Sequence, residues 1–133
     1  MVIEEALVTY LLTQSGLTAL VSNRIHLLKL PQNPVLPAVV MQKISSPRLH
    51  GFTADIGATT RMQLTSWATT YTSASATFEQ LRASLQNYLN DTMGGTSGVP
   101  VKAVILDDEN DTYEDETGRF GKIADFIFWH TEA

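Results

Sequence analysis

Apolar residues recur with the period of an α-helix in two parts of the chain. The apolar positions of residues 3–13 and of residues 72–89 fall at steps of three and four, which place side chains on one helix face. The first stripe is Ile3, Ala6, Leu7, Tyr10 and Leu11, and the second is Ala74, Phe78, Leu81, Leu85 and Tyr88. We predict two main helices. Gly16 ends the first or links it to a short second turn, LTALVSN, and Thr72 or Ser73 caps the second.

Five other segments carry the pattern of β-strands, namely residues 24–30, 38–44, 61–68, 99–106 and 122–130. In the third, Met62 and Leu64 alternate with polar residues, which is typical of a strand with one solvated face. The last is apolar on both faces, which predicts a central strand or one that is covered on both sides. Residues 45–60 are predicted to form a long loop, and residues 94–100, GGTSGVP, a flexible connector.

The order of these elements predicts a single α+β domain over residues 1–133. Short connections between most strands favour a mostly antiparallel sheet, and the two main helices would pack against it. The chain is long enough for one core, and 44% of its residues are apolar.

Composition and charge argue against several classes of function. The net charge is −5 and the nine basic residues form no cluster, which disfavours tight binding of nucleic acid. The absence of Cys excludes disulfides and thiolate metal sites. No apolar run approaches the roughly 20 residues of a membrane helix. Glu4 and Glu5 stand where a signal peptide would be basic, so we expect the mature protein to begin at or near Met1, in a cytoplasm.

Half of the Asp and Glu residues lie in residues 107–116, which we call the acidic segment. Its seven carboxylates are Asp107, Asp108, Glu109, Asp111, Glu114, Asp115 and Glu116. A calcium-binding EF-hand loop that began at Asp107 would need Gly at position 6 and Glu at position 12, but Thr112 and Gly118 stand there. A pair of hydrolytic carboxylates would need a rigid frame, and the segment shows none. We therefore favour a charged hairpin turn, with a small metal-binding or hydrolytic domain kept as an alternative.

No other motif of an enzyme is present. His26, His50 and His130 lie in no recognisable catalytic pattern, and the glycines of residues 94–98 lack the Lys-Ser/Thr of a phosphate-binding loop. We predict no catalytic residue, no metal and no cofactor. Trp67 lies opposite the Met62 and Leu64 face, where an exposed indole could anchor an interface.

The order of the segments resembles one known family. NRIHLL precedes a proline-bounded PVLPAVV, a strand ending in SWA leads into a helix, and YEDETG precedes an aromatic last strand that ends in Trp. Together these pieces span almost the whole chain. They resemble the tail terminator, or tail-completion, proteins of long-tailed bacteriophages, which also occur in prophages and gene transfer agents.

The resemblance implies a structural virion protein of the tail or neck that is assembled in the cytoplasm of a bacterial host. Such proteins have an α+β fold related to tail-tube subunits and form a ring, usually of six copies. The ring ends tube polymerisation and docks the head connector. The implied partners are other copies of the chain, the tail-tube protein and the connector. DNA passes through the lumen without specific binding. A head-completion or connector protein is the nearest alternative.

A ring requires that one face of a subunit meets a different face of its neighbour. We expect this contact at the predicted loop and the strand edges, and the candidate interface residues are Arg48, Leu49, His50, Phe52 and Trp67. The seven carboxylates of the acidic segment would face the lumen or its rim, where negative potential keeps DNA from adhering. An outer solvated hairpin, or a docking surface for a basic partner, is the competing interpretation.

Overall fold

The computed structural model describes residues 2–50 and 55–131, apart from the side chains of residues 49, 50, 55 and 56. Three helices and seven strands follow one another along the chain. They are α1 (Ile3–Leu12), α2 (Ser15–Val21), β1 (Ile25–Leu27), β2 (Ala38–Ser45), β3 (Arg48–His50), β4 (Asp55–Ala68), α3 (Tyr71–Leu85), β5 (Leu89–Met93), β6 (Val99–Glu114) and β7 (Arg119–His130). In the described part of the chain, no helix is long and apolar enough to cross a membrane.

All seven strands belong to one sheet, in the order β1-β2-β4-β7-β6-β5, and β3 also pairs with β4. Every pairing is antiparallel except that of β1 with β2. The α+β class and the mostly antiparallel sheet are therefore confirmed. The last strand is central, as predicted, because β7 lies between β4 and β6.

The core lies between one face of the sheet and the helices. Met62 and Leu64 of β4, together with Phe126 and Phe128 of β7, are fully buried there. They join the helical residues in a single cluster, whose helical members include Leu7, Leu11, Leu17, Phe78 and Leu81. We call this side of the sheet the helix-covered face and the other side the open face.

The helix patterns are confirmed in their faces and corrected in their ends. Gly16 lies inside a separate helix, α2, rather than ending the first one. The cap of α3 is Thr70, whose hydroxyl accepts a hydrogen bond from Ser73 N at 3.1 Å. The same helix ends at Leu85 because Gln86 is extended and Asn87 takes a φ of 65°. Tyr88 therefore lies beyond α3.

One predicted loop contains strands, and a further strand follows α3. The predicted loop of residues 45–60 holds β3 and the start of β4, because ladder pairing extends the Met62 strand back to Asp55. β5 lies between α3 and the predicted connector, although four of its five residues are exposed and lack an apolar pattern. β1 is shorter than predicted, since Leu28 has a φ of 71° and leaves the extended conformation.

The acidic segment is not confined to a turn. Residues 107–114 continue β6 and pair with β7, from Asp108 opposite Asp125 to Glu114 opposite Arg119. Only residues 115–118 form the turn. The strand was missed because charged residues have low strand propensity, and pairing with a long apolar strand overrides that preference. The carboxylates thus stand on a regular frame, contrary to the sequence-based expectation.

A buried chain of hydrogen bonds joins β7 to the β2–β3 connection. His130 Nδ1 lies 2.9 Å from Thr131 O, which can only accept, so this nitrogen carries the hydrogen. In the neutral ring Nε2 then accepts from the Thr60 hydroxyl at 2.6 Å. Ser46 Oγ lies 2.8 Å from the same hydroxyl and donates to it.

We expect Thr60→Val to lower the free energy of unfolding by about 1–3 kcal/mol, since it leaves the buried His130 Nε2 without a partner. Equilibrium unfolding in urea measures this difference. Thr59→Val is the matched control, because Thr59 is half-buried on the open face of the same strand. Equal effects of the two substitutions would contradict a role for the hydrogen bond.

Candidate functional site

The acidic segment and its partner strand form the most strongly charged part of the molecule. The two strands and their turn, residues 99–130, contain eight Asp or Glu and three Lys or Arg. This net charge of −5 equals that of the whole chain, so the remaining residues are neutral in sum. All seven carboxylates of the acidic segment belong to exposed residues.

Three carboxylates of the acidic segment have basic partners on β4 or β7. Arg61 Nη1 lies 2.8 Å from Asp107 and 3.3 Å from Asp125 of β7. Lys122 Nζ lies 2.9 Å from Asp111, and Arg119 lies 3.8 Å from Glu114. The hydrogen bond to Asp107 is the main reason why the pKa of Arg61 is raised. These contacts fix the acidic strand to the sheet.

The other four carboxylates of the segment, Asp108, Glu109, Asp115 and Glu116, form no ion pair with any residue that the structure describes. A bulge between Leu106 and Asp108 interrupts the alternation of β6, so Asp108 shares the open face with its partner Asp125, while Glu109 lies opposite the buried Ala124. Asp108 and Glu109 therefore lie on different faces of the sheet. Within residues 2–50 and 55–131, no three metal-binding side chains come together.

Asp111 accepts hydrogen bonds from Lys122 Nζ and from the Tyr71 hydroxyl, and these bonds lower the pKa of its carboxyl in that order of effect. The folded state therefore binds the proton less readily than the unfolded chain does. The stabilisation is complete above the ordinary pKa of 3.8 and is lost as pH falls through the lower pKa of the folded state.

We accordingly expect Asp111→Asn to lower the free energy of unfolding at neutral pH by no more than about 1 kcal/mol, since the pair is exposed. The difference from the wild type should shrink as pH falls below 3.8 and should disappear below the lowered pKa of the folded state. Denaturant midpoints across this range measure it. Asp115→Asn, in the turn, is the control, and a difference that persisted in acid would contradict the assignment.

The open face carries apolar residues at both ends and charged residues between them. Ile105, Ile127 and Trp129 lie at one end, and Trp129 is 43% exposed. At the other end Trp67 lies over Gly121, where an added Cβ would stand 3.0 Å from the indole ring. Gly121 thus lets the ring lie against the sheet. Trp67 is on the face that we predicted but is half-buried by its own chain.

The structure separates the predicted interface residues. Arg48 begins β3, is exposed, and donates to Ser46 O at 2.8 Å. Leu49 and His50 continue that strand, described here by their backbone alone, and Phe52 lies outside the described residues. Trp67 is at the far end of β4. Arg48 and Trp67 therefore do not form one patch.

Several exposed apolar residues on the sheet edges were not among the predicted interface residues. Ile44 follows Gln42 and Lys43 in β2, lies at a bulge between Lys43 and Ser45, and is 46% exposed. Ile105 of β6 is 47% exposed, and Tyr113 follows among the carboxylates. A signal was present for Ile44 and Tyr113, because each lies next to a charged residue where a strand has its solvated positions, whereas Ile105 lies between Val104 and Leu106 and gave none.

Comparison with known proteins decides the family. A profile described as tail completion protein gp17 matches residues 5–131, which is nearly the whole chain. The chain belongs to this tail completion family. Its members are structural virion proteins, and membership supports a structural role in the tail.

A solved structure has a similar fold. It is a chain of the virion of a native gene transfer agent particle, with a TM-score of 0.79 and 12% sequence identity. The match covers 98% of the chain described here and 95% of that chain. At this identity the likeness concerns the fold alone. No curated protein sequence matches the chain.

Proposed function

We propose that the protein forms a ring, with six copies as the expected number, which caps the tail tube and ends its polymerisation. The same ring joins the tail to the head connector. The observation that carries this proposal is the match of the tail completion family over residues 5–131. The resemblance of the whole fold to a virion chain is compatible with it.

A closed ring needs two unlike surfaces on each copy, so that rotation from one copy to the next returns to the start. The sheet supplies them, because its two ends, β1 with β2 and β6 with β5, differ in sequence, length and charge. Termination follows if one end of the ring matches the tube and the other does not. The tube then gains a cap that presents no site for another tube subunit.

The acidic segment has two candidate positions in such a ring. On the lumen wall or its rim, its exposed carboxylates would repel the phosphates of passing DNA, which therefore would not bind there. On the side of the subunit, they would dock a basic partner. A ring structure with these side chains on the outer wall would exclude the lumen position.

The test has two stages. Size-exclusion chromatography with light scattering, followed by negative-stain imaging, should reveal a ring with a central hole, either alone or after tail tubes are added. Tubes polymerised in its presence should be shorter and should carry the ring at one end. A ring that binds the head connector but leaves tube length unchanged would favour a head-completion protein. A persistent monomer that binds divalent cations tightly would favour a metal-binding domain.

A further inference from the structure

The two ends of the sheet carry opposite charge. Residues 24–48, which form β1, β2 and the start of β3, contain four basic residues and no Asp or Glu. We call residues 24–48 the basic segment, and its four basic residues are Arg24, Lys29, Lys43 and Arg48. The net charge of −5 lies on β6 and β7 with their turn, on the far side of β4. Lys43 Nζ lies 2.7 Å from Glu4 of α1, so the polarisation of each copy across its strands comes mainly from the acidic side.

Both ends also have strand edges whose backbone forms no ladder with any other described strand. β5 covers β6 only as far as Ala103, and Val104 N donates to Tyr88 O, so residues 105–114 form an edge that we call the acidic edge. β1 pairs with β2 only from Val39 to Met41, so no described strand pairs with the outer edge of residues 42–45. Open edges of this kind are the usual places where a second chain docks.

An exposed isoleucine lies on each open edge at the same height along the strands. Ile105 pairs with Ile127, which pairs with Arg61, and Arg61 pairs with Ser45. Ile44 is the bulge residue next to Ser45, so this cross-strand row ends near Ile44 at one edge and at Ile105 at the other. A closed ring has no rise along its axis, so the two ends of this row meet when the ring axis is perpendicular to the row.

We propose that the acidic edge of one copy docks against the basic segment of the next copy, with Ile105 packed close to Ile44. The inference rests on the proposed ring and adds to it the surfaces that meet. Exposed apolar side chains at the centre and charges around them are the usual composition of a protein interface. The docking position of the acidic segment is thereby preferred to the lumen.

We expect this contact to form through side chains rather than through backbone hydrogen bonds that would continue the sheet. Three strand steps separate β2 from β6, and a twist of about 20–25° per step turns the two edges by about 60–75° relative to each other. Strands that cross at such an angle share few backbone hydrogen bonds. The charges then steer and orient the encounter, and we expect added salt to slow association.

Crosslinking tests the contact directly, because the chain has no native cysteine. We expect Ile44→Cys combined with Ile105→Cys to give disulfide-linked oligomers under mild oxidation in the assembled state, up to the full ring. Ile105→Cys combined with Leu12→Cys is the control, since Leu12 is exposed on α1. Crosslinking no stronger than in this control, in rings of normal appearance, would overturn the inference and leave the proposed function intact.

Charge reversal supplies an independent test. Asp108→Lys with Glu109→Lys reverses the two carboxylates of the acidic edge that lack ion pairs with described residues, and Lys29→Glu with Gln42→Glu lowers the formal charge of the basic segment from +4 to +1. Each double variant should raise the concentration needed for half-assembly at least about tenfold. The quadruple variant should recover assembly, because the introduced lysines can pair with the introduced glutamates.

The outcomes separate the two proposals. Loss without recovery in the quadruple variant, with each variant folded as judged by circular dichroism, would show that the two edges do not meet. If the acidic-edge variant assembled as the wild type does, the result would favour a position of these carboxylates on the lumen or the outer wall. A wild type that forms no ring, with or without tail tubes, would overturn the proposed function and this inference together.

Discussion

Replacing Phe126 with alanine should lower the free energy of unfolding by about 3–5 kcal/mol. Phe126 is fully buried on the helix-covered face of β7, opposite Met62 on one side and Leu106 on the other. The central strand is held by neighbours on both edges, so the surrounding structure can collapse only partly into the cavity. A loss of this size is a large fraction of the 5–15 kcal/mol that is typical of a domain.

Equilibrium unfolding in denaturant, at a concentration where light scattering shows monomers, measures the change as a shift in midpoint at constant slope. Leu89→Ala is the control, because Leu89 is 63% exposed on β5, and we expect a change within about 0.5 kcal/mol. If Phe126→Ala cost less than about 1 kcal/mol, the helix-covered face would not be the main core.

Replacing Leu7 with alanine should cost about 2–5 kcal/mol. Leu7 is fully buried in the middle of α1 and belongs to the same core cluster as Phe126. Alanine is a good helix former, so the helix itself would persist and the loss would report packing alone. The effect would show that α1 is part of the domain rather than a peripheral helix.

Leu12 supplies the matched control for Leu7. It lies on the same helix, is 41% exposed, and loses the same atoms on substitution by alanine. Thermal and denaturant unfolding of the two variants should differ by several kcal/mol, with Leu12→Ala close to the wild type. Equal and small effects would mean that α1 does not pack on the sheet in solution.

The helices were the most predictable elements, because a stripe of period 3.6 shows in the local sequence which side chains are buried. Leu7, Phe78 and Leu81 were all assigned to the faces that the structure buries. The ends of α3 were less predictable, since Thr70, Thr72 and Ser73 can each act as a cap. Only the backbone geometry identifies Thr70.

The edges of the sheet were the least predictable part of the candidate site. The sequence reveals the acidic segment and its charge, but residues 107–114 became a strand only through pairing with β7. The same holds for β5, whose exposed residues carry no strand pattern and which is formed by its ladder to β6. The open edge next to it could not be predicted without that ladder.

Local sequence patterns were enough to predict the α+β class, the buried faces of α1 and α3, a last strand that is central or covered on both sides, and the resemblance to tail completion proteins. These features depend on local periodicity and on the order of segments. The tertiary structure alone decided which face of β7 the helices cover, and it placed the acidic and basic strands at opposite ends of one sheet. Pairing between residues distant in the chain fixes both, and no local pattern encodes it.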